Sequence, residues 1–221
     1  MKILTLKGKI EVLTGLHIGG SDDTMKIGGV DKGVIKVYDR ELKREVPYIP
    51  GSSLKGKIRS LLEWSFGVAQ LNDGKPFESD VLKQYESTHL KEKKEELEDF
   101  LKLFGDSSSE NKFGMTRAIF SDCFLANKEN IDEVREVKTE NMIDRSKGTA
   151  KHPRQTERVA PGVEFEFEIR VKVLDGDDED KFKEIIEKGL KLLELDYLGG
   201  NGSRGYGRVK IHKKDWENET I

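Results

Sequence analysis

The chain has 221 residues, a formal net charge of -3, 37% charged residues and one cysteine, Cys123. That length suits one substantial domain or a small domain with large insertions, and a single thiol excludes an internal disulfide and a cysteine-rich zinc site. The acidic total gives no global sign of a nucleic-acid partner and no apolar run approaches a membrane span, so the expectation is a cytoplasmic protein with no membrane partner.

From the N-terminus, KILTLKGKIEVL sets Ile3, Leu4, Leu6, Ile10, Val12 and Leu13 among lysines at a roughly two-residue period, which predicts a strand over 2–13. Residues 14–50 are rich in glycine and read as a long loop with a small hairpin made from VIKVY and VPYI; loops of that length are usually functional. In PGSSLKGKIRSLLEWSFG, Ser52 or Ser53 is suited to cap a helix whose Leu54, Ile58, Leu61 and Leu62 recur at helical spacing, and Gly67 to stop it. Residues 78–104 predict a charged helical insertion with Leu97, Phe100, Leu101 and Phe104 on one stripe. TRAIFSDCFL (116–125) reads as a strand, and VEFEFEIRVKVL (163–174) as the clearest one, with Val163, Phe165, Phe167, Ile169, Val171 and Val173 on one face. A helix over EDKFKEIIEKGLKLLELD, a glycine loop and the short strand GRVKI follow. The order β, α, β, β, α, β predicts an α+β fold of the ferredoxin-like (RRM-like) kind, an antiparallel sheet with two helices on one face.

In the glycine loop GGNGSRGYGRV, Gly200, Gly202 and Gly205 fall into GxGxxG spacing, but between a helix and a strand, the reverse of a dinucleotide fold. From Arg145 to Arg158, five basic side chains (Arg145, Lys147, Lys151, Arg154, Arg158) stand against one acid, Glu157, a local charge of +4. Such an arm neutralises phosphates, and Met142 and Ile143 beside it are suited to wedge against bases; the alternative is a solvated surface loop. The start of the first helix adds free N–H groups, the hydroxyls of Ser52 and Ser53, and the cations Lys55 and Arg59: an anion site in one reading, a plain capped start in the other. Arg204 and Arg208 make the glycine loop a third positive site. Its glycines either admit an RNA strand or the Asp31 loop close to the backbone, or form a packing turn. Asp31 in KIGGVDKGVI is a candidate general base or divalent-ion ligand, or a turn former. His17 in GLHIGG is a lone histidine, functional or packed.

Taken in order, GLHIGG, IGGVDKGVI, YIPGSSLKGKIRSLLE, the arm ENMIDRSKGTAKHPRQTERVAPG and LGGNGSRGYGRVKI resemble the RAMP superfamily. Within it they are most similar to the repeated backbone subunit of type III-A CRISPR effector complexes, the Csm type. The resemblance covers nearly the whole chain apart from about residues 68–110 and the C-terminal tail. It implies one RAMP domain over 1–221 with insertions at about 14–50 (a loop), 68–115 (a helical lid) and 126–161 (a thumb-like β-arm). It implies as partners a guide CRISPR RNA, complementary target RNA, copies of the same chain stacked head to tail and the other subunits of the Csm complex. The implied activity is cleavage of target RNA at regular intervals with Mg²⁺ or another divalent metal ion. On the matching positions, Asp31 becomes the cleavage carboxylate and a ligand of that ion, His17 an RNA contact, and Ser52, Ser53, Lys55 and Arg59 the guide-backbone contact. Arg145, Lys147, Arg154 and Arg158 on the arm, with Arg204 and Arg208 in the glycine turn, complete the RNA-binding set. Some members carry a zinc-binding insertion; with one cysteine, zinc is not expected here. Two rivals stand beside this reading: a catalytically inert guide-RNA scaffold, and a RAMP endonuclease that processes precursor CRISPR RNA.

Overall fold

The computed structural model describes residues 1–20, 32–84, 89–129 and 134–220. In chain order the elements are β1 (Lys2–Val12), β2 (Lys36–Asp39), β3 (Arg44–Pro47), α1 (Gly51–Phe66), α2 (Ser79–Gln84), α3 (Lys94–Phe104), β4 (Ala118–Phe120) and β5 (Phe124–Leu125). There follow β6 (Arg135–Asp144), β7 (Thr149–Val159), β8 (Glu164–Val173), α4 (Glu179–Leu195), β9 (Val209–Lys213) and β10 (Glu217–Thr220).

β1 and β8 form the centre of an antiparallel sheet, in register from Lys2↔Val173 to Glu11↔Glu164. Their alternation divides the sheet into two faces. Leu4, Leu6, Ile10, Val12, Phe165, Phe167, Ile169 and Val171 are buried, while Lys7, Lys9, Glu166 and Glu168 stand on the other side. β9 and β10 pair with successive parts of β1, and β4 and β5 pair with β8, so both edges are made of short strands.

The buried face is covered by α1 and α4, which pack on each other through Ile58, Leu62, Ile186 and Leu190. Burying side chains of this size contributes about 1.5–3 kcal/mol each. The two helices approach closely at Gly189, where a Cβ would lie 2.5 Å from Ile58 Cγ2. Asp178 caps α4 by accepting from the Asp180 and Lys181 N–H groups, and Gly67, the stop the sequence predicts, closes α1 in the left-handed conformation.

Several local expectations are corrected. α1 begins at Gly51 behind Pro50, with no side-chain cap from Ser52 or Ser53; the Gly51 N–H donates instead to Asp122 Oδ1 at 2.8 Å. The helical stretch 78–104 is interrupted: α2, a 3₁₀ turn over His89–Lys93, then α3, with 85–88 outside the described residues. α3 is also no detached cover. Its predicted stripe is buried in the common core, where Phe100 meets Phe66 edge to face at 5.5 Å and Phe104 lies 5.9 Å from Phe120. The strand expected over 116–125 breaks between β4 and β5 because Cys123 exchanges both backbone hydrogen bonds with Ile49, at 2.8 and 3.0 Å. Burial pushes the Cys123 thiol up to about 12, with Asp122 adding to the shift, so it stays a neutral core group. β10 went unread because ENET has no apolar side chain and pairs through its backbone.

Candidate nucleic-acid interface

β6 and β7 form an antiparallel hairpin that projects as its own two-stranded sheet, with an irregularity between Glu140 and Met142. Its turn is held by Asp144, which accepts from the Ser146 and Lys147 N–H groups at 2.9 and 3.2 Å, and Gly148 supplies a positive φ of 66°. Near the tip, Met142 is 59% and Ile143 66% exposed, large apolar groups with nothing covering them.

The basic side chains of this arm divide into two groups. Arg158 bonds Glu136 at 2.5 Å and stacks over the Tyr206 ring at 4.5 Å; Lys151 pairs with Asp144 at 2.5 Å. Arg158 is thereby folded into the hairpin base, and its Nε is buried without a partner. Arg145, Lys147 and Arg154 are exposed and carry no ion pair among the described residues. Exposed cations of this kind are the ones able to neutralise phosphates.

At the base, segments distant in sequence meet on one buried carboxylate. Glu157 Oε2 accepts from the Val34 N–H at 3.0 Å and pairs with Lys36 Nζ at 2.9 Å, while Oε1 takes Arg135 Nη1 at 2.9 Å. Burial alone would raise this carboxyl; the Lys36 and Val34 bonds and the charges of Lys36 and Arg135 outweigh it and hold it below the usual glutamate value. The Glu157 N–H donates to Lys32 O at 2.9 Å, and Lys32 bridges Thr156. Leu16 bonds Val159 in both directions, and Ile35 N–H donates to Ile18 O. The stretches on both sides of residues 21–31 are therefore tied to this base. Asp31 itself lies outside the described residues.

His17 is buried here, Nδ1 lying 2.8 Å from Glu157 O. A carbonyl can only accept, so Nδ1 carries the proton and, in the neutral ring, Nε2 is the acceptor. His17 is thus a packed imidazole with a fixed orientation.

The glycine loop packs on this same segment. Gly200 N–H donates to His17 O at 2.9 Å and Gly207 N–H to Gly15 O at 3.1 Å. At Gly207, φ is 71° and a Cβ would lie 2.0 Å from Leu198 O, so only glycine fits. The close approach these glycines permit is to GLHI of the same chain. Tyr206 is buried with its hydroxyl donating to Glu140 Oε1 at 3.0 Å, and Lys138 and Arg158 lie over its ring. Arg204, 60% exposed, reaches Glu140 at 3.4 Å and also bonds Asn201. Arg208 is exposed, its backbone tied to Leu13 and Thr14.

On α1 the four expected contacts separate. Ser52 is exposed and Ser53 half-buried at the helix start. Lys55 is half-buried without an ion pair among the described residues; burial and then the charge of Arg59 pull its pKa below the ordinary lysine value. Arg59 points into the protein. Its guanidinium donates to Glu63 Oε1 at 2.9 Å, Phe77 O at 2.8 Å and Phe104 O at 3.3 Å. Tyr48, just ahead of Pro50, lines a small apolar pit with Leu16, Ile18, Val34 and Val159, which brings the α1 start toward the hairpin base.

The structure thus gathers His17, Arg158, Arg204 and the flanks of Asp31 around the hairpin base, leaves Arg145, Lys147 and Arg154 on the arm, and turns Arg59 inward. Glu157, Glu140, Tyr206 and Asp122 are structural partners that sequence reasoning missed. The one signal was that Glu157 is the sole acid in a basic run. Among the described residues no group of three or more His, Cys, Asp or Glu is arranged to hold a metal ion. Glu157 is already taken up by two cations and an amide.

Comparison with known proteins gives the family. The model of the RAMP superfamily matches residues 9–210. The CRISPR system Cms endoribonuclease Csm3 of Streptococcus thermophilus is 40% identical over 218 residues, covering 95% of this chain and 87% of the relative. The protein of the same name from Methanocaldococcus jannaschii is 43% identical over 223 residues, covering 96% and 82%. A chain in the crystal structure of a Csm3-Csm4 subcomplex in the type III-A CRISPR-Cas interference complex superposes with a TM-score of 0.53 at 29% identity, covering 98% of this chain and 78% of that one. A chain of the type III-B Cmr-beta complex bound to cognate target RNA shares the fold, with a TM-score of 0.58 at 21% identity over 98% of this chain and 61% of that one. The chain belongs to the RAMP superfamily, and within it to the kind represented by the Csm3 proteins.

Proposed function

We propose that this protein is an RNA-guided endoribonuclease and the repeated backbone subunit of a type III-A CRISPR ribonucleoprotein complex. In this reading copies stack along a guide RNA and cut complementary target RNA at regular intervals, with Asp31 as the cleavage carboxylate. The fold is read as ferredoxin-like, one RAMP domain over 1–221 with a loop at 14–50, a helical insertion at 68–115 and the hairpin arm within 126–161 as its insertions. The observation that carries the function is that Lys32, next in sequence to Asp31, contacts β7 at the base of a hairpin bearing exposed apolar groups and cations without an ion pair among the described residues.

The chemistry needs little machinery. Met142 and Ile143 are suited to displace a base, and a splayed nucleotide aligns its 2′-oxygen with the adjacent phosphorus, an alignment worth much of the barrier. The 2′-oxygen then bonds to phosphorus, the bond to the 5′-oxygen breaks, and the 2′-hydroxyl proton passes to a carboxylate such as Asp31. The departing 5′-oxygen takes a proton from water, so the products are a 2′,3′-cyclic phosphate and a 5′-hydroxyl. A divalent ion would draw its ligands from Asp31 and RNA phosphate oxygens, since no described carboxylate cluster offers them.

The open face of the sheet is a poor alternative for RNA. Sheets that read single strands present stacking aromatics, whereas β8 presents Glu166 and Glu168 here, and Lys7 and Lys9 are paired with Glu217 and Glu164. A shallow concavity of about 720 Å³ on that face is lined by Lys7, Lys9, Glu166, Glu168 and His212, with Phe124 its one exposed aromatic among the described residues.

The test is the assembled complex with guide-complementary RNA. Asp31→Ala is expected to leave guide and target binding intact and to abolish the regularly spaced products; unchanged cutting by that variant removes the enzyme reading in favour of an inert scaffold. Chelation with EDTA is expected to stop target cleavage, whereas cutting of repeat RNA by the isolated protein in EDTA would favour precursor processing.

A further inference from the structure

We propose that Glu157 is a positioning residue for cleavage: its carboxylate fixes the segment that follows Asp31 against the base of the hairpin that splays the target. This deepens the reading above and rests on it.

Five contacts of one residue carry the argument. The side chain holds the Val34 N–H, Lys36 and Arg135, and the backbone holds Lys32 O through its N–H and His17 Nδ1 through its carbonyl. Lys32, Val34 and Lys36 lie on the cleavage-loop side, Arg135 on β6 and His17 on the segment before the loop. No other described carboxylate joins all three. The packing around it is also closed. Gly33 leaves a Cβ position 3.5 Å from Glu157 Oε2, and Leu16↔Val159 locks the register beside it.

Such a node matters for rate because cleavage requires two separate elements to act on one phosphate. The hairpin determines which nucleotide is displaced, and the carboxylate must meet the 2′-hydroxyl of that nucleotide. An error of about 1 Å between them costs up to about a hundredfold in rate without any loss of target contact. Glu157 is remote from the exposed tip, so its loss leaves the phosphate-binding cations in place.

The experiment uses the complex assembled on a guide RNA, comparing the unaltered chain, Glu157→Gln, Lys36→Met and, as the reference for lost chemistry, Asp31→Asn. Single-turnover cleavage by Glu157→Gln is expected to slow by about ten- to a hundredfold while target affinity changes by less than about twofold. Amide hydrogen exchange is expected to accelerate at residues 34–36 and not across β1 or α4. Lys36→Met, which leaves the carboxylate in place, is expected to slow cleavage in the same direction and carries the test if Glu157→Gln fails to assemble. A purely structural role would instead lower affinity, rate and global protection together. Normal cleavage by both variants, with Asp31→Asn inactive, overturns the positioning role and spares the proposed function. Normal cleavage by Asp31→Asn overturns both.

Discussion

Replacing Arg59 by methionine removes a guanidinium that joins α1 to the helical insertion. The side chain is 17% exposed and its partner Glu63 only 9%. Without it, Glu63 keeps one hydrogen bond, from the Phe77 N–H at 3.1 Å, and the Phe77 and Phe104 carbonyls each lose a donor. Removing one partner of a fully buried pair costs about 3–5 kcal/mol; residual solvent access at Arg59 reduces this to about 2–4 kcal/mol. For a chain of this size each kcal/mol moves Tm by about 2–4 °C, so thermal unfolding should shift down by about 4–16 °C. Arg59→Lys keeps the charge, but its donors all leave one nitrogen and do not span acceptors now met by Nε, Nη1 and Nη2, so it should lose about half as much. Lys55→Gln provides the contrast. That ammonium has no partner to lose, and removing a half-buried charge relieves desolvation, so Tm should stay within about 2 °C. Its effect belongs in RNA binding, where the slope of log K against log salt should fall by about 0.7 for one phosphate contact to a single strand. An Arg59→Met variant with unchanged Tm and a reduced salt slope would refute the reasoning, because its guanidinium would then belong to RNA and not to the fold.

The glycine loop and the ion-paired carboxylates give two further predictions. Gly207→Ala, at φ 71° with Leu198 O in the way, should destabilise by about 3 kcal/mol or more, whereas Gly205→Ala, at φ 84° with open space, should cost about 1–2 kcal/mol, measured by urea unfolding. The pH dependence follows from the carboxylates. Glu140 is held low chiefly by its bond to Lys138, Glu179 by Lys183 and Glu157 as described, all below the usual 4.5. Groups lowered by folding stabilise above their unfolded value and lose that contribution as pH falls through the folded one. Urea stability should therefore be insensitive to these groups above about pH 5.5 and fall below 4.5, with Glu157→Gln flattening part of the fall.

Periodicity made most of the frame legible. β1, β8 and α4 bury most of the residues their spacing predicts, because a two- or 3.6-residue period reports directly on which side faces the core; Leu13, beyond the end of β1, is 40% exposed, and Ile3 and Val173 are only half-buried. What the sequence could not disclose is partnership across long separations. Asp122 caps a helix 71 residues before it, and Glu157 holds Val34 from 123 residues away. The same limit explains Arg59: its position beside Lys55 suggests a shared basic face, but only the packed insertion supplies the acceptors that turn it inward.

Charge counting suffers most from this blindness, and its correction sharpens the functional reading. The run from Arg145 to Arg158 carries +4 in sequence, but Arg158 and Lys151 are matched within the hairpin by Glu136 and Asp144, and Glu157 by Lys36 and Arg135. Among the described residues the cations of this run without an ion pair are Arg145 and Lys147 in the turn that follows Met142 and Ile143, and Arg154 along β7 opposite Glu140. At physiological salt the field of an exposed charge fades within about 8 Å, so an approaching RNA is drawn to the outer part of the arm and not to its neutralised base. The base ties the arm to the His17 and Lys32 segments, which in the proposed function holds it in place while the tip displaces a base. Arginines that look alike in the sequence thus divide by position: Arg158 is built into the base, whereas Arg145 and Arg154 stay exposed for the RNA binding proposed above.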